Sequence, residues 1–190
     1  MIVNEEDQII GYEEKIKTHK KGLLHRAFSV FMVDEENKKM FLQQRADDKY
    51  HSGGLWSNAC CSHPHESESW MQAIQRALMN ELGINLNSEY SDEMLFSGLE
   101  LPSYKMYFLN KFQYYSNYGD ISENEVDYVF LFIPNHSIVS SIMLNPKEAK
   151  NSKWITTLEL DKWLRNRPEE FTSWFKKAYT IVKETYLRKE

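Results

Sequence analysis

The segment from Val126 to Ile133 constrains the fold of this chain more than any other feature. It reads Val-Asp-Tyr-Val-Phe-Leu-Phe-Ile and is therefore apolar almost without interruption. A short run of this kind is typical of a central strand that is buried on both faces. We therefore expect a mixed sheet with helices packed on it. The class is α/β or α+β, and the sequence alone does not separate the two.

Further apolar-rich runs predict the neighbouring strands. These strands are expected at Ala27–Val33, Lys39–Gln44, Met94–Leu101 and Lys105–Tyr115, with a short one at Lys153–Thr156. The first two are separated by Asp34-Glu35-Glu36-Asn37, which indicates a hairpin. A loop from Arg45 to Pro64 follows the hairpin and contains Gly53-Gly54 and both cysteines of the chain.

Three helices are expected from apolar periodicity and end signals. The first runs from Glu66 to Leu82, where Trp70, Ile74 and Leu78 recur at helical spacing and Gly83 is a suitable stop. Thr156 and Glu159 form a potential capping box for a second helix through Leu164. Pro168 is a suitable first residue for the last helix, whose apolar stripe includes Trp174 and Phe175.

Composition limits the class of protein. Apolar residues make up 42% of the 190 residues and charged residues 27%, which is typical of one globular domain over 1–190. The net charge of −5 argues against a protein that coats nucleic acid or an anionic membrane. No apolar run approaches the roughly 18 residues of a membrane span, and the acidic N-terminus does not resemble a signal peptide. We expect a cytoplasmic protein.

The two cysteines, Cys60 and Cys61, are adjacent in the chain. A disulfide between neighbouring residues is strained, and the chain offers neither of them another partner. Because His63 follows two residues later, reduced thiols in a cytosolic site are the better interpretation.

Several residues have the chemistry of a metal or acid–base site. Glu123 and Glu125 lie two apart at the start of a predicted strand and therefore project to one face. Two such carboxylates repel each other unless a cation or a shared proton lies between them. Imidazole and carboxylate ligands suit Zn or Mn, and carboxylates alone suit Mg. The candidates are His19, His25, His63, Glu81, Glu123 and Glu125.

The predicted helix after Glu66 carries part of the Nudix pattern G-x5-E-x7-R-E-U-x-E-E-x-G-U, in which U is aliphatic. Aligned on Gly83, the chain retains Glu68, Arg76 and Glu81 and both aliphatic positions. Ser62 replaces the first glycine, and Ala77 and Asn80 replace two of the glutamates. A Nudix hydrolase uses such carboxylates to bind catalytic metal, so this pattern predicts a Nudix-like scaffold with an impaired hydrolase box.

A set of blocks in fixed order is more specific than the box. The blocks are His25-Arg26-Ala27-Phe28-Ser29, Gln43-Gln44-Arg45-Ala46, Trp56-Ser57-Asn58-Ala59-Cys60-Cys61-Ser62-His63-Pro64, Asn80-Glu81-Leu82-Gly83 and Glu123-Asn124-Glu125. Together they resemble the type I isopentenyl-diphosphate isomerases over about residues 10 to 180. The resemblance implies a single-domain Nudix-like fold with a mixed sheet packed between helices.

The resemblance implies a reaction and roles for its residues. The family interconverts isopentenyl and dimethylallyl diphosphate by protonating an alkene and deprotonating a tertiary carbocation from the opposite face. By similarity, Cys61 and Glu125 are the two acid–base groups. Tyr114 is the assisting tyrosine, with Tyr115 as an alternative, and Trp174 is the aromatic residue that faces the cation.

The resemblance also implies two metal ions and a set of diphosphate contacts. The metal ligands are His19, His25, His63, Glu123 and Glu125, which would hold one Zn2+ or Mn2+. Glu81 would join Mg2+ to the diphosphate of the prenyl substrate, and Lys15, Arg45, Lys49 and Ser62 would contact that diphosphate. A monomer or weak dimer is expected.

Some positions depart from the family pattern. Gly53 stands where a proline is expected, and Ala77 stands where a second basic residue is common. His51, His65 and His136 match no family position and are expected to be ordinary surface or loop residues. Two other functions remain open, a Nudix diphosphatase and a non-catalytic metal or redox sensor.

Overall fold

The computed structural model describes residues 1–86 and 89–187. The strands are β1 (Ile2–Val3), β2 (Ile9–Gly11), β3 (His25–Asp34), β4 (Lys39–Arg45), β5 (Trp56–Ser57), β6 (Cys60–Ser62), β7 (Leu99–Glu100), β8 (Tyr104–Asn117), β9 (Ser122–Pro134) and β10 (Ala149–Thr156). The helices are α1 (Lys15–Lys21), α2 (Trp70–Leu82), α3 (Asp92–Ser97), α4 (His136–Ser140), α5 (Thr157–Asn166) and α6 (Phe175–Thr185), and Pro168–Glu170 form a 3-10 turn.

The strands form one mixed sheet in the order β10-β4-β3-β9-β8-β7. Strand β9 lies between β3, to which it is parallel, and β8, to which it is antiparallel. The expected central strand at Val126–Ile133 is therefore confirmed. With helices on a mixed sheet, the fold is of the α+β class.

Side chains from alternate positions of β9 pack into two separate cores. Phe130 and Phe132 belong to the core that contains Ile74 and Leu78 of α2. Val129 and Leu131 belong to the core on the opposite face, with Phe175 of α6. The apolar run is thus explained by helices on both faces of its strand.

Strands β3 and β4 form a hairpin, and the two strands separate towards the end of the sheet where the candidate site lies. The two strands pair directly only over Met32–Asp34. Further along, β6 pairs with β3 over Phe28–Val30, and β5 pairs with β4. The region predicted as a loop from Arg45 to Pro64 therefore contains two short strands, which place Cys61 opposite Ser29 of β3.

Two predicted helices begin at other residues in the structure, and one predicted strand is largely replaced by a helix. Helix α2 begins at Trp70 rather than Glu66, because Ser69 and Gln72 form a capping box. The strand predicted at Met94–Leu101 is wrong, since α3 occupies its first half and only β7 is extended. The last helix does not begin at Pro168, which starts the 3-10 turn instead.

Other end signals are confirmed. Gly83 ends α2 with a φ of 68°, a left-handed conformation that favours glycine. The capping box of Thr156 and Glu159 begins α5 as expected. Within the described residues, no helix is both long and apolar enough to cross a membrane.

Candidate active site

Four of the predicted metal ligands converge at one end of the sheet. One potential ligand atom from each of His19, His25, His63 and Glu125 lies within 4.8 Å of those of the others. His19 comes from α1, and the parallel pairing of β3 with β9 places His25 opposite Glu125. His63 follows β6 and brings Nε2 to 2.9 Å from Glu125 Oε1.

The protonation states of this cluster suit a metal ion. Burial lowers the pKa of His19 to about 4 and that of His63 to about 3, so both imidazoles are neutral near pH 7. Burial raises the pKa of Glu125, but the adjacent His25 and His63 imidazoles outweigh it and hold that pKa well below its usual range. Neutral imidazole and ionised carboxylate are the forms that bind metals.

Two buried imidazole nitrogens strengthen the case for a metal. Among the described residues, neither His19 Nε2 nor His25 Nε2 has a hydrogen-bond partner. His25 Nε2 lies 3.3 Å from Glu125 Oε1, but without hydrogen-bond alignment. His25 Nδ1 is fixed by the carbonyl oxygen of Leu23 at 2.8 Å, which leaves Nε2 for a ligand. The donor set fits a divalent transition metal.

Tyr114 connects the two glutamates of β9. Its hydroxyl lies 2.6 Å from Glu125 Oε2 and 3.1 Å from Glu123 Oε2. Both carboxylates therefore face the same side of the strand, as their spacing predicts. Tyr114 is buried, whereas the side chain of Tyr115 is 61% exposed. The structure thus brings Tyr114, and not Tyr115, to Glu125.

Cys61 lies on β6, on the other side of β3 from Glu125. Its thiol donates to Asn58 Oδ1 at 3.1 Å, and the same oxygen accepts from Trp174 Nε1 at 3.2 Å. Burial raises the pKa of Cys61 to about 12, so the group is a protonated thiol at neutral pH. Ser29 Oγ lies 3.5 Å from the sulfur and donates to Asp127.

A small cavity of about 40 Å³ brings together the residues that the resemblance implies are catalytic. Cys61, Glu125, Tyr114 and Trp174 all line it. Arg45 lines it too, with its guanidinium 5.5 Å from the centre of a Trp174 ring. All four residues expected to be catalytic are therefore adjacent to one cavity.

A larger cavity of about 680 Å³ shares Lys15, Cys61, Ser62 and His63 with the small one. Lys49 lines it and pairs with Glu148. Glu81 also lines it, where burial raises the pKa of this carboxyl to about 7 although Gln43 donates to it at 2.7 Å. Lys15, Lys49, Ser62 and Glu81 thus face one opening, whereas Arg45 faces only the smaller cavity.

Comparisons with known proteins identify the family of this chain. The NUDIX domain family matches residues 23–175. An isopentenyl-diphosphate Delta-isomerase 2 of Aromatoleum aromaticum is 38% identical over 92% of this chain and 80% of its own length. An isopentenyl-diphosphate Delta-isomerase of Aliivibrio fischeri is 38% identical over 96% of this chain and 93% of its own. This chain belongs to the isopentenyl-diphosphate Delta-isomerase family, with a Nudix fold.

Solved structures confirm the fold. A protein from Deinococcus radiodurans superposes with a TM-score of 0.63 at 14% identity, and the match covers 97% of each chain. A MutT protein of Methanosarcina mazei superposes with a TM-score of 0.56 at 13% identity, over 86% of this chain and 96% of the other. At these identities the likeness concerns the fold alone.

In this isomerase-family chain, the Nudix helix α2 supports the His/Glu cluster. Arg76 pairs with Glu68 at 2.7 Å and donates to the carbonyl oxygen of His63 at 2.9 Å. Ala77 and Asn80 replace glutamates of the hydrolase pattern, and both line the larger cavity. The retained part of the box therefore positions the backbone of His63.

One sequence expectation about the site holds only in part. His51 lies in the irregular segment between β4 and β5, as expected of a loop residue, but it is not at the surface, since its side chain is only 3% exposed and its Nε2 lies 3.0 Å from Glu123 Oε1. No motif or periodicity marks it in the sequence. His65 and His136, which were also expected at the surface, are exposed. Asn58 and Asp127 were not predicted either, although Asn58 stands within the cysteine block.

Proposed function

We propose that this protein interconverts isopentenyl diphosphate and dimethylallyl diphosphate, with Cys61 and Glu125 as the two acid–base groups. The observation that carries the proposal is the placement of these residues. They come from strands on opposite sides of β3 and line one cavity of about 40 Å³. Proton transfer to one face of a substrate and from the other requires such a pair.

The cavity also has the properties that the chemistry needs. An alkene is a very weak base, so its protonation requires a positioned acid in a site without bulk water. Tyr114 donates to Glu125 at 2.6 Å and assists its proton transfer. The buried Trp174 faces the same space, where its ring would stabilise a carbocation by about 2 kcal/mol.

We propose that His19, His25, His63 and Glu125, together with the neighbouring Glu123, hold one Zn2+ or Mn2+. A cation bound there would make the Glu125 carboxyl group, when it carries a proton, a stronger acid towards carbon. Glu81, in the larger cavity, would bind Mg2+ together with the substrate diphosphate, to which Lys15, Lys49 and Ser62 would donate hydrogen bonds. Arg45 would act from the smaller cavity, against Trp174.

The test is to follow isopentenyl diphosphate in deuterated water by NMR, with reduced protein, Mg2+ and Zn2+ or Mn2+. We expect dimethylallyl diphosphate that carries deuterium, without release of phosphate. Phosphate release would instead indicate a Nudix diphosphatase. An inert protein that still folds and binds metal would indicate a sensor.

Cys61→Ala should lower the isomerisation rate by about 10²–10⁴-fold, because it removes one of the two acid–base groups. Cys60→Ala is the matched control, since the neighbouring thiol is fully buried in the core and lines neither cavity. Circular dichroism of both variants would show whether the fold is intact. Near-full activity of Cys61→Ala would contradict the two-face mechanism.

A further inference from the structure

Glu148 lies at the opening of the larger cavity and is not among the site residues that the family resemblance implies. It lines this cavity together with Lys49 and Glu81, which are proposed to contact the substrate diphosphate and its Mg2+. The Glu148 carboxylate forms an ion pair with Lys49. Because the two side chains are only 26% and 20% exposed, solvent screens this pair less than a pair on the open surface.

Glu148 stands at the end of a turn that is attached to helix α2. The Asn145 amide donates to the carbonyl oxygen of Glu81 at 3.0 Å, and Asn145 Nδ2 donates to that of Asn80 at 2.9 Å. Within the turn, the Glu148 amide donates to the Asn145 carbonyl oxygen at 2.9 Å. The backbone of Glu148 is therefore fixed relative to the end of α2 that carries Glu81.

The same turn is attached to the segment that carries Lys49. The carbonyl oxygen of Glu148 accepts from the Ala46 amide at 3.0 Å, and the next residue, Ala149, pairs with Arg45 at the end of β4. The side chain of Lys49, in contrast, is long and has many rotamers. Its position at the opening therefore depends on the partner that it finds there.

We infer that Glu148 is a positioning residue, which holds the Lys49 ammonium group at the opening so that it meets the substrate diphosphate. An ammonium group has three donors, so Lys49 can donate to Glu148 and to a phosphate oxygen at once. A side chain held in this way loses less conformational entropy when the anion binds. The inference rests on the proposed diphosphate contacts but not on the isomerisation, because binding of inorganic pyrophosphate can be measured without turnover.

The negative charge of Glu148 acts in the opposite direction, since a carboxylate repels an anion. This charge is already paired with that of Lys49, so the two groups together carry no net charge. Mg2+ also lowers the charge of the diphosphate that it binds. The repulsion is therefore the smaller effect, and Glu148 should increase the affinity for the diphosphate.

The first test measures the affinity of the full chain for inorganic pyrophosphate with Mg2+ by titration calorimetry. Glu148→Ala should weaken binding by about tenfold, because Lys49 loses a partner that is charged and partly buried. Asp47→Ala is the matched control. Asp47 and Lys150 form an ion pair at 2.6 Å between the same two segments, but Asp47 is 74% exposed and neither is among the described residues that line the cavity.

The control should change the affinity by less than about twofold, as for an exposed ion pair. Unchanged or tighter binding of pyrophosphate by Glu148→Ala would overturn the inference. In steady-state kinetics with isopentenyl diphosphate, the effect of Glu148→Ala should appear in KM rather than in kcat.

The second test repeats Glu148→Ala in a Lys49→Met background, as a double-mutant cycle. If Glu148 acts through Lys49, its removal should cost less than about twofold there. Glu148→Gln, which retains an oxygen that can accept from Lys49, should stay within about threefold of the unmodified chain. Equal costs of Glu148→Ala in both backgrounds would show that Glu148 does not act through Lys49.

A crystal structure of the unmodified chain with Mg2+ and pyrophosphate decides the question without any variant. We expect Lys49 Nζ within about 3.2 Å of both a Glu148 oxygen and a phosphate oxygen. A Lys49 that leaves Glu148 in order to reach the phosphate would overturn the inference. Failure of pyrophosphate to bind would overturn both the inference and the proposed diphosphate site, whereas an absence of isomerisation alongside the expected binding would overturn only the proposed function.

Discussion

At the scale of single residues, Asn58 connects two parts of the proposed catalytic machinery. Its Oδ1 accepts from the Cys61 thiol, from Trp174 Nε1 and from Ser57 Oγ at 3.0–3.2 Å. Its Nδ2 donates to the backbone carbonyl oxygens of Val30 and Cys60 at 3.1 and 2.8 Å. A carboxamide supplies both the acceptor and the donors. Asn58 therefore orients Cys61 and Trp174 relative to the sheet.

Asn58→Ala should lower kcat by about 100-fold, because a small displacement of an acid–base group slows the proton transfer. KM should change little, since the proposed diphosphate contacts lie elsewhere. Steady-state kinetics with isopentenyl diphosphate measure both constants. Ser57→Ala is the control, since it removes one hydrogen bond to the same oxygen and leaves the other two. A loss confined to KM would show that Asn58 does not position Cys61.

The sequence predicts those site residues whose chemistry restricts the residue type. Cys61, His63 and Glu125 stand in short sequence blocks that are rare in other proteins, which is why the sequence marks them. The structure brings the three residues together as expected. His51 could not be predicted in this way. It belongs to the irregular segment between β4 and β5, and its burial results from contacts with Tyr50 and Tyr118, which no local pattern encodes.

At the scale of elements, α3 shows why a local pattern can mislead. Met94, Leu95 and Phe96 form an apolar run that resembles a strand, but Ser91 caps a helix by accepting from the Met94 amide. Asp92 then accepts from the Trp70 and Met71 amides at 3.1 and 3.2 Å. The carboxylate therefore caps α2 from a neighbouring helix, a tertiary contact that the sequence does not reveal.

Asp92→Ala should lower the free energy of unfolding by about 1–2 kcal/mol, because it leaves two amide groups at the start of α2 without their acceptor. Urea denaturation followed by circular dichroism measures the change. Glu93→Ala removes the adjacent, exposed carboxylate and should change stability by less than about 0.5 kcal/mol. Equal effects of the two substitutions would argue against the capping role.

The N-terminal strands β1 and β2 are fixed to the sheet by Asp7. Its carboxylate accepts from Arg26 at 2.7 Å and also from Lys111 and Tyr128. Burial raises the pKa of Asp7, but these hydrogen bonds outweigh it and lower the pKa. Asp7 has a φ of 62°, a left-handed conformation that Asn also tolerates. Asp7→Asn therefore tests the charge without straining the backbone.

Asp7→Asn should destabilise the protein by about 2–3 kcal/mol at pH 7, since it leaves cationic partners without a carboxylate. The folded-state pKa lies below the unfolded value, so the stabilisation is present above the unfolded pKa of about 3.9 and is lost as the pH falls through the folded pKa. Urea denaturation of both proteins at several pH values should show the difference shrinking below about pH 4. Glu6→Gln, which changes an exposed neighbour, should show no such trend.

At the scale of the whole molecule, the proposed metal would connect segments that are far apart in the chain. His19 lies in α1, His25 in β3, His63 after β6 and Glu125 in β9. These segments meet because β3 pairs with β9 on one side and with β6 on the other. A ligand that binds the folded state alone stabilises all of these contacts at once.

Zn2+ at about 100 times its dissociation constant should stabilise the fold by about 2.7 kcal/mol and raise Tm by about 5–10 °C, as expected for a chain of this size. Thermal unfolding of the metal-depleted protein, with and without added Zn2+, measures the shift. His25→Ala should abolish it, because this substitution removes one of the four clustered donors. His136→Ala should retain it, since His136 is exposed on α4 and lies outside the cluster. An equal shift in both variants would place the stabilising ion somewhere other than the His/Glu cluster, and the metal would then act on the fold without connecting β3 to β9.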